Sequence, residues 1–397
     1  AKAQYVRGSI LMGFAPMQES VAATQEAIDT FNQLLALPGV SSDDLMAAAC
    51  AWTVLGDELG ASSKNSMYDL TAALRAYAQM KTLLDRALIL DHKSLKRSSY
   101  VLAYHSSYVV AYHGRIAQLD GFTDPDQELE DAREGLQEIA ALPFEELQSL
   151  YCMRFRMWML TLQNDALTQL GRYTEAHTLA NNALGEVSSL AAADPQDQRA
   201  EFDLVDGLDH LAAIYEAAAD PELEPSADAQ RRNLTAAEPV LLRENAVLKR
   251  MQQSSSQQYL RLSMADAQVR LGIVQYRLRK DPSAAGLVRS GLSDLEQICA
   301  RNQNSAGVLN KEAKDLLQAE PASVRNPKLA LGYAARAVEF SHHKVPDMLL
   351  TLARAYRAKG QIDLSRATAR EGLALLPQPP PHAAPTNMRR LLEKQTR

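Results

Sequence analysis

Apolar residues recur at i, i+3 and i+4 through nearly the whole chain, and the strict alternation that a half-buried strand requires is missing. No Asn-Gly hairpin dipeptide interrupts the helical pattern. Stop signals cut it at LPGVSSDD (37 to 44), GASSKNS (60 to 66), LDHKS (90 to 94), DGFTDPD (120 to 126), ALPF (141 to 144), AADPQD (192 to 197), DPELEPSAD (220 to 228), KDP (280 to 282), EPASVRNP (320 to 327) and HHKVP (342 to 346). These breaks predict about sixteen helices joined mostly by short connections. Short connections between antiparallel helices make hairpins, and a row of hairpins is a bundle or a solenoid.

Self-similarity selects the solenoid. Residues 346 to 377, PDMLLTLARAYRAKGQIDLSRATAREGLALLP, place Leu349, Leu352, Ala353, Tyr356, Gly360, Ser365, Ala369, Gly372 and Pro377 at the packing positions of a helix-turn-helix unit of about 34 residues. Large residues fill the space between the two helices, small ones let the axes approach, Gly360 permits the turn and Pro377 ends the second helix. The segment resembles a tetratricopeptide repeat. The same frame recurs less regularly at Trp52, Leu55, Gly56 and Leu59 with Ala73, Tyr77 and Met80; at Gly171, Ala176, Ala180 and Ala183; at Leu208, Leu211, Ala212 and Tyr215; at Leu271 and Gly272 with Ala284, Val288 and Gly291; and at Ala330, Ala334 and Ala337.

The resemblance implies an all-α, right-handed superhelical solenoid of stacked antiparallel hairpins. Its expected organisation is a lead-in over 1–16, repeats over 17–192 and 198–377, and a Pro-rich linker with a capping helix over 378–397. The combination of LGDELGASSKNSMYDLTAALRAYAQ with NPKLALGYAARAVEF also looks like the C-terminal region of multidomain bacterial serine/threonine kinases and transcription regulators, where such a region senses or docks.

Charge excludes one class of partner. The 48 acids and 42 bases are mixed along the chain for a net charge of −6, and nucleic acid needs a concentrated basic face instead. Cys50, Cys152 and Cys299 are odd in number, far apart and in apolar helical contexts, so they read as reduced core thiols. No apolar run reaches the roughly 18 residues of a membrane span. The sequence starts at Ala1, not at methionine, which leaves room for an upstream targeting segment or domain.

Three stretches hold candidate chemistry. Tyrosine recurs at Tyr100, Tyr104, Tyr108 and Tyr112, a slowly winding stripe on one helix face with His105 and His113 beside it. Packing against neighbouring helices accounts for most of such a stripe. The two histidines are offset by roughly 80° with no carboxylate at matching azimuth, so no metal site is expected. LYCMRFRMWML (150 to 160) is apolar almost all round, as a helix buried between neighbours is. In the repeat family, side chains of the first helix face the concave surface, and by that resemblance Asp347, Leu350, Arg354 and Arg357 lie there. Arg354 and Arg357 are one turn apart and suited to grip a carboxylate.

Phosphate loops, nucleophile elbows, His-Glu-x-x-His and paired cysteines are absent from the sequence, and the Asp-Pro pairs at 194, 220 and 281 read as turn starters. The expected function is a noncatalytic scaffold without a cofactor, binding a protein or peptide, including another domain of the same polypeptide. The competing expectation is a small-molecule sensor or enzyme whose pocket lies between the Tyr/His helix 94–119 and the Met/Trp helix 144–170, with Tyr104, Tyr108, His113 and Trp158 converging.

Overall fold

The computed structural model describes residues 17–60, 66–92, 112–119, 121–142, 147, 150–194, 196–254, 258–301, 305–379 and 384–397. Among the described residues every regular element is a helix and no strand occurs. The α-helices are α1 (Met17–Leu35), α2 (Ser42–Gly60), α3 (Leu70–His92), α4 (Pro125–Ala140), α5 (Leu150–Gln169), α6 (Tyr173–Ala193), α7 (Gln198–Ala218), α8 (Ala227–Ser254), α9 (Gln258–Arg279), α10 (Pro282–Arg301), α11 (Ala306–Gln318), α12 (Pro327–Phe340), α13 (Pro346–Ala358), α14 (Ile362–Leu375) and α15 (Asn387–Thr396). Residues 112–119 are also helical. None of these helices is long and apolar enough to cross a membrane.

Side chains next to the predicted breaks explain where the helices start. Asp197 accepts from the backbone N–H groups of Arg199 and Ala200, and Asn326 caps α12 through the Leu329 N–H, each satisfying a donor that the helix leaves open. Asp194, Asp220 and Asp281 bond the N–H two residues on, so the turn-starter reading holds.

The chain divides into two compact units, residues 1–163 and 164–397. Successive helices pack on each other from α1 to α3 and from α6 to α15, and α13 also packs on α11 and α15, which is the order of a hairpin array. In the first unit one core gathers Phe31, Leu45, Leu55, Tyr77 and Leu84, and a second gathers Ala132, Ile139, Cys152 and Met159. In the second unit the hairpins are α7–α8, α9–α10, α11–α12 and α13–α14. The last fits the tetratricopeptide frame closely. Leu349, Ala353, Ser365 and Ala369 are fully buried, and Gly360 turns the chain at φ +73°, where a side chain would be strained. None of the three cysteines is in a disulfide, and Cys152 and Cys299 are buried and Cys50 partly so.

Candidate functional site

Within the second unit α7, α9, α11 and α13 are the first helices of successive hairpins, and charged side chains join each to the next. Arg270 on α9 brings Nε and Nη2 to Glu216 Oε2 on α7 at 2.8 and 2.6 Å, and its Nη1 bonds Asp209. Asp266, one turn before Arg270, takes Lys311 Nζ of α11 at 2.7 Å. Lys314 and Asn310 of α11 reach Asp347 on α13 at 2.6 and 2.8 Å. Arg354 on α13 then pairs with Glu222, in the loop that follows α7. The chain of pairs therefore returns to the hairpin from which it started.

Burial and charge tune this layer. Asp209 would be raised by burial, but Arg270 outweighs that and holds it at about 2. Asp347 is likewise pushed up by burial and brought below the usual range by Lys314 and Asn310. Glu244 on α8 has no such rescue. It is 2 % exposed, its Oε2 has no hydrogen-bond partner, and burial together with Asp209, Asp266 and Glu216 pushes it up to about 8 against the pull of Arg270. Asp315 on α11 is 8 % exposed with Oδ2 unpartnered, and burial and Asp266 push it up to about 7 against Lys311, Arg270 and Lys314.

Arg354, Arg357 and Asp347, which the repeat resemblance assigns to the concave face, all lie on α13 and are all engaged by the chain itself. Arg357 Nη2 donates to the Gln395 carbonyl of α15 at 2.9 Å. That helix sets Leu391 and Leu392 against Leu350, Ala353 and Ala369, and ties itself to distant segments by polar contacts. Asn387 Nδ2 bonds the Thr168 carbonyl at 2.7 Å and Tyr173 Oη at 2.8 Å, Arg390 bonds the Leu223 carbonyl at 2.9 Å, and Lys394 bonds the Glu222 carbonyl. A carboxylate and a peptide segment do meet these arginines, and both belong to this chain.

The other predicted residues lie in the first unit. Tyr104 and Tyr108 fall outside the described residues. His113 is buried with Nδ1 3.4 Å from Glu134, and burial lowers its pKa against the opposing carboxylates Glu134, Glu138 and Asp131. Trp158 is partly buried, with Arg115 5.8 Å from its ring centroid. A β-carbon on Gly114 would stand 2.7 Å from the Trp158 ring, and one on Gly135 3.2 Å from His113 Cβ, so side chains pack closely around these two glycines. A shallow recess between α2 and α3, lined by Trp52, Leu55, Leu59 and Ala76, carries Arg75 at its edge.

Sequence reasoning passed over Asp209, Glu244, Asp266, Arg270, Lys311 and Asp315. One signal was present: Asp266 and Arg270 stand one turn apart in MADAQVRLG, inside a helix whose remaining positions are mostly small or apolar.

No family model matches the chain, and no curated protein does. Solved structures with similar helical arrangements include a circular tandem repeat protein (TM-score 0.32, 12% identity, 96% of this chain and 88% of that one). Another is yeast Tom70 (TM-score 0.23, 10% identity, 95% and 92%). A third is the TPR domain of P58(IPK) (TM-score 0.23, 10% identity, 99% and 97%). These superpositions are too loose for residue-by-residue correspondence.

Proposed function

We propose that the chain is a noncatalytic helical-repeat scaffold that binds a protein or peptide partner. The observation that carries this reading is the continuous row of charged side chains on α7, α9, α11 and α13. First helices of a hairpin array present one face in common, and a face of paired charges offers directional contacts to a partner backbone and its side chains. The sequence likeness of 55–79 and 326–340 to regulatory proteins supports a docking or sensing region of a bacterial signalling polypeptide as its setting. The test is a panel of immobilised peptides of differing charge probed with the full chain. Binding that disappears on charge reversal at Asp209, with helicity unchanged, supports the proposal; a chain that retains no peptide of any charge refutes it.

A further inference from the structure

We propose that the seat filled by α15 is a partner-binding surface of the second unit, and that the partner is a basic amphipathic helix of another protein, with two adjacent leucines, which takes the place of α15. This deepens the scaffold reading and rests on it.

The helix is attached as a ligand would be, not as one more repeat helix. Five prolines in PQPPPHAAPT, residues 377–386, keep a helix from running on out of α14, so a tether and not a tight turn joins α15 to the last hairpin. It starts on its own cap, Thr386 Oγ1 accepting the Arg389 N–H at 3.3 Å. Its 10 residues are too few for a helix that stands alone in water, so its helicity depends on docking.

Contacts within the seat show what it recognises. Leu391 and Leu392 pack on Leu350, Ala353 and Ala369, and Gly372 of α14 leaves room for them, since a β-carbon there would stand 2.9 Å from Leu392 Cδ2. Around the leucines the seat offers acceptors. The carbonyls of Thr168, Glu222 and Leu223 take side-chain donors from Asn387, Lys394 and Arg390, and Gln395 Nε2 reaches Glu222 Oε1 at 3.2 Å. Two of those donors are cations, and the loop they meet reads DPELE, residues 220–224. Arg354 and Arg277 already stand beside its acids, so the cations of α15 go to the loop's carbonyls, where a helix bearing carboxylates would find no donor side chain in their place.

As an occupant, α15 is imperfect. Gln395 is 3 % exposed and its Oε1 has no donor, while Arg357 Nε of the seat is closed off from water without an acceptor. Buried polar groups left unmet are costly, so a helix without that deficit binds the seat more tightly than α15 does. The tether offsets the deficit by keeping α15 near the seat at an effective concentration of about a millimolar. Until a better-matched helix arrives, the apolar seat stays covered.

The experiment is fluorescence anisotropy of a labelled peptide, residues 384–397, with the full chain and with full-length Leu391→Asp/Leu392→Asp, whose own α15 cannot fill the seat. The variant is expected to bind the peptide about a hundredfold more tightly than the unaltered chain. Arg390→Ala/Lys394→Ala in the full chain, which loosens α15 but keeps its leucines, is expected to act in the same direction by a smaller factor and decides the matter if the first variant does not fold. In the peptide, Leu391→Ser/Leu392→Ser or Arg390→Glu/Lys394→Glu should abolish binding. Gln395→Lys in the peptide keeps a donor for Glu222 and removes the orphaned acceptor, so it should bind several-fold more tightly than the natural sequence. Equal affinity of altered and unaltered chains, or binding of the charge-reversed peptide, would overturn the proposal. So would a Gln395→Lys peptide no tighter than the natural one, because α15 would then be a cap that already fits best. A mixed dimer of unaltered and variant chains in light scattering would make a second copy the occupant and overturn it too. If the α15 peptide fails while other peptides bind in a manner that Asp209 controls, the scaffold reading stands and this inference falls; if no peptide binds, both fall.

Discussion

The Tyr77 ring of α3 lies directly against the backbone of Gly56 on α2, where a β-carbon would overlap it, and the Tyr77 hydroxyl donates to Asp57 Oδ1 at 2.8 Å. Arg115 Nε binds the same oxygen at 2.8 Å. A small residue on one helix thus lets an aromatic ring from its hairpin partner reach a polar anchor.

Gly56→Ala separates two opposing effects. Helix propensity alone would stabilise α2 by about 1 kcal/mol. The overlap with Tyr77 is expected to win, for a net loss of roughly 1 to 3 kcal/mol in thermal or denaturant unfolding. A gain in stability would mean that Tyr77 has room to move aside.

Arg270→Met is expected to be among the most damaging single changes in the second unit. It strands Glu216 and Asp209 and removes a guanidinium only 12 % exposed, and breaking a buried pair from one side costs about 3 to 5 kcal/mol. Arg270→Lys should recover only part of this, because a compact ammonium lacks the planar fork by which Nε and Nη2 hold Glu216 while Nη1 holds Asp209. Urea unfolding of the three proteins checks the order.

Stability should fall as the solution turns from mildly acidic to mildly basic. Glu244 and Glu312 are buried carboxyls pushed up to about 8, the second by burial and by Asp315 and Glu296, and Asp315 is pushed up to about 7. Between the ordinary carboxylate range and those values the folded chain holds protons that the unfolded chain has released. Their contribution is complete below the unfolded values and lost as pH rises through the folded ones, at up to about 1.4 kcal/mol per pH unit for each group. Melting temperatures across that window should decline, and Glu244→Gln with Glu312→Gln should flatten the decline. Asp209 works in the opposite sense: its folded value near 2 adds stability above the unfolded range that disappears in stronger acid.

Removing the anchor of α15 should be felt far away in sequence. Leu392 is fully buried against the last hairpin, so Leu392→Ala is expected to cost about 2 to 5 kcal/mol. Asn387→Ala leaves that packing intact but releases Thr168 and Tyr173. Hydrogen exchange around 168–173 should rise in the second variant while the melting temperature moves little.

The hairpin order was legible because each boundary carries its own chemistry: Asp-Pro starters, caps such as Asp197 and Asn326, and Gly360 at a positive φ. Ala353, Ser365 and Ala369 are small where the repeat resemblance implies that two helix axes approach, and all three are fully buried. The charge layer was not legible. Asp209, Glu216, Lys311 and Asp315 stand on separate helices far apart in the sequence, and only the packing of successive hairpins brings them together. Arg354 illustrates the same limit, since the carboxylate it meets lies 132 residues away.

An open stack of hairpins has no preferred number and lengthens freely when a gene segment is duplicated. The contact of Arg354 with Glu222 removes that freedom. Inserting or deleting one hairpin between α8 and α13 would displace the arginine by about the 8 to 10 Å between packed helices, beyond reach of its carboxylate. The seam therefore acts as a counting device. It makes the second unit a module of fixed size, one that substitution can alter but repeat expansion cannot without opening it.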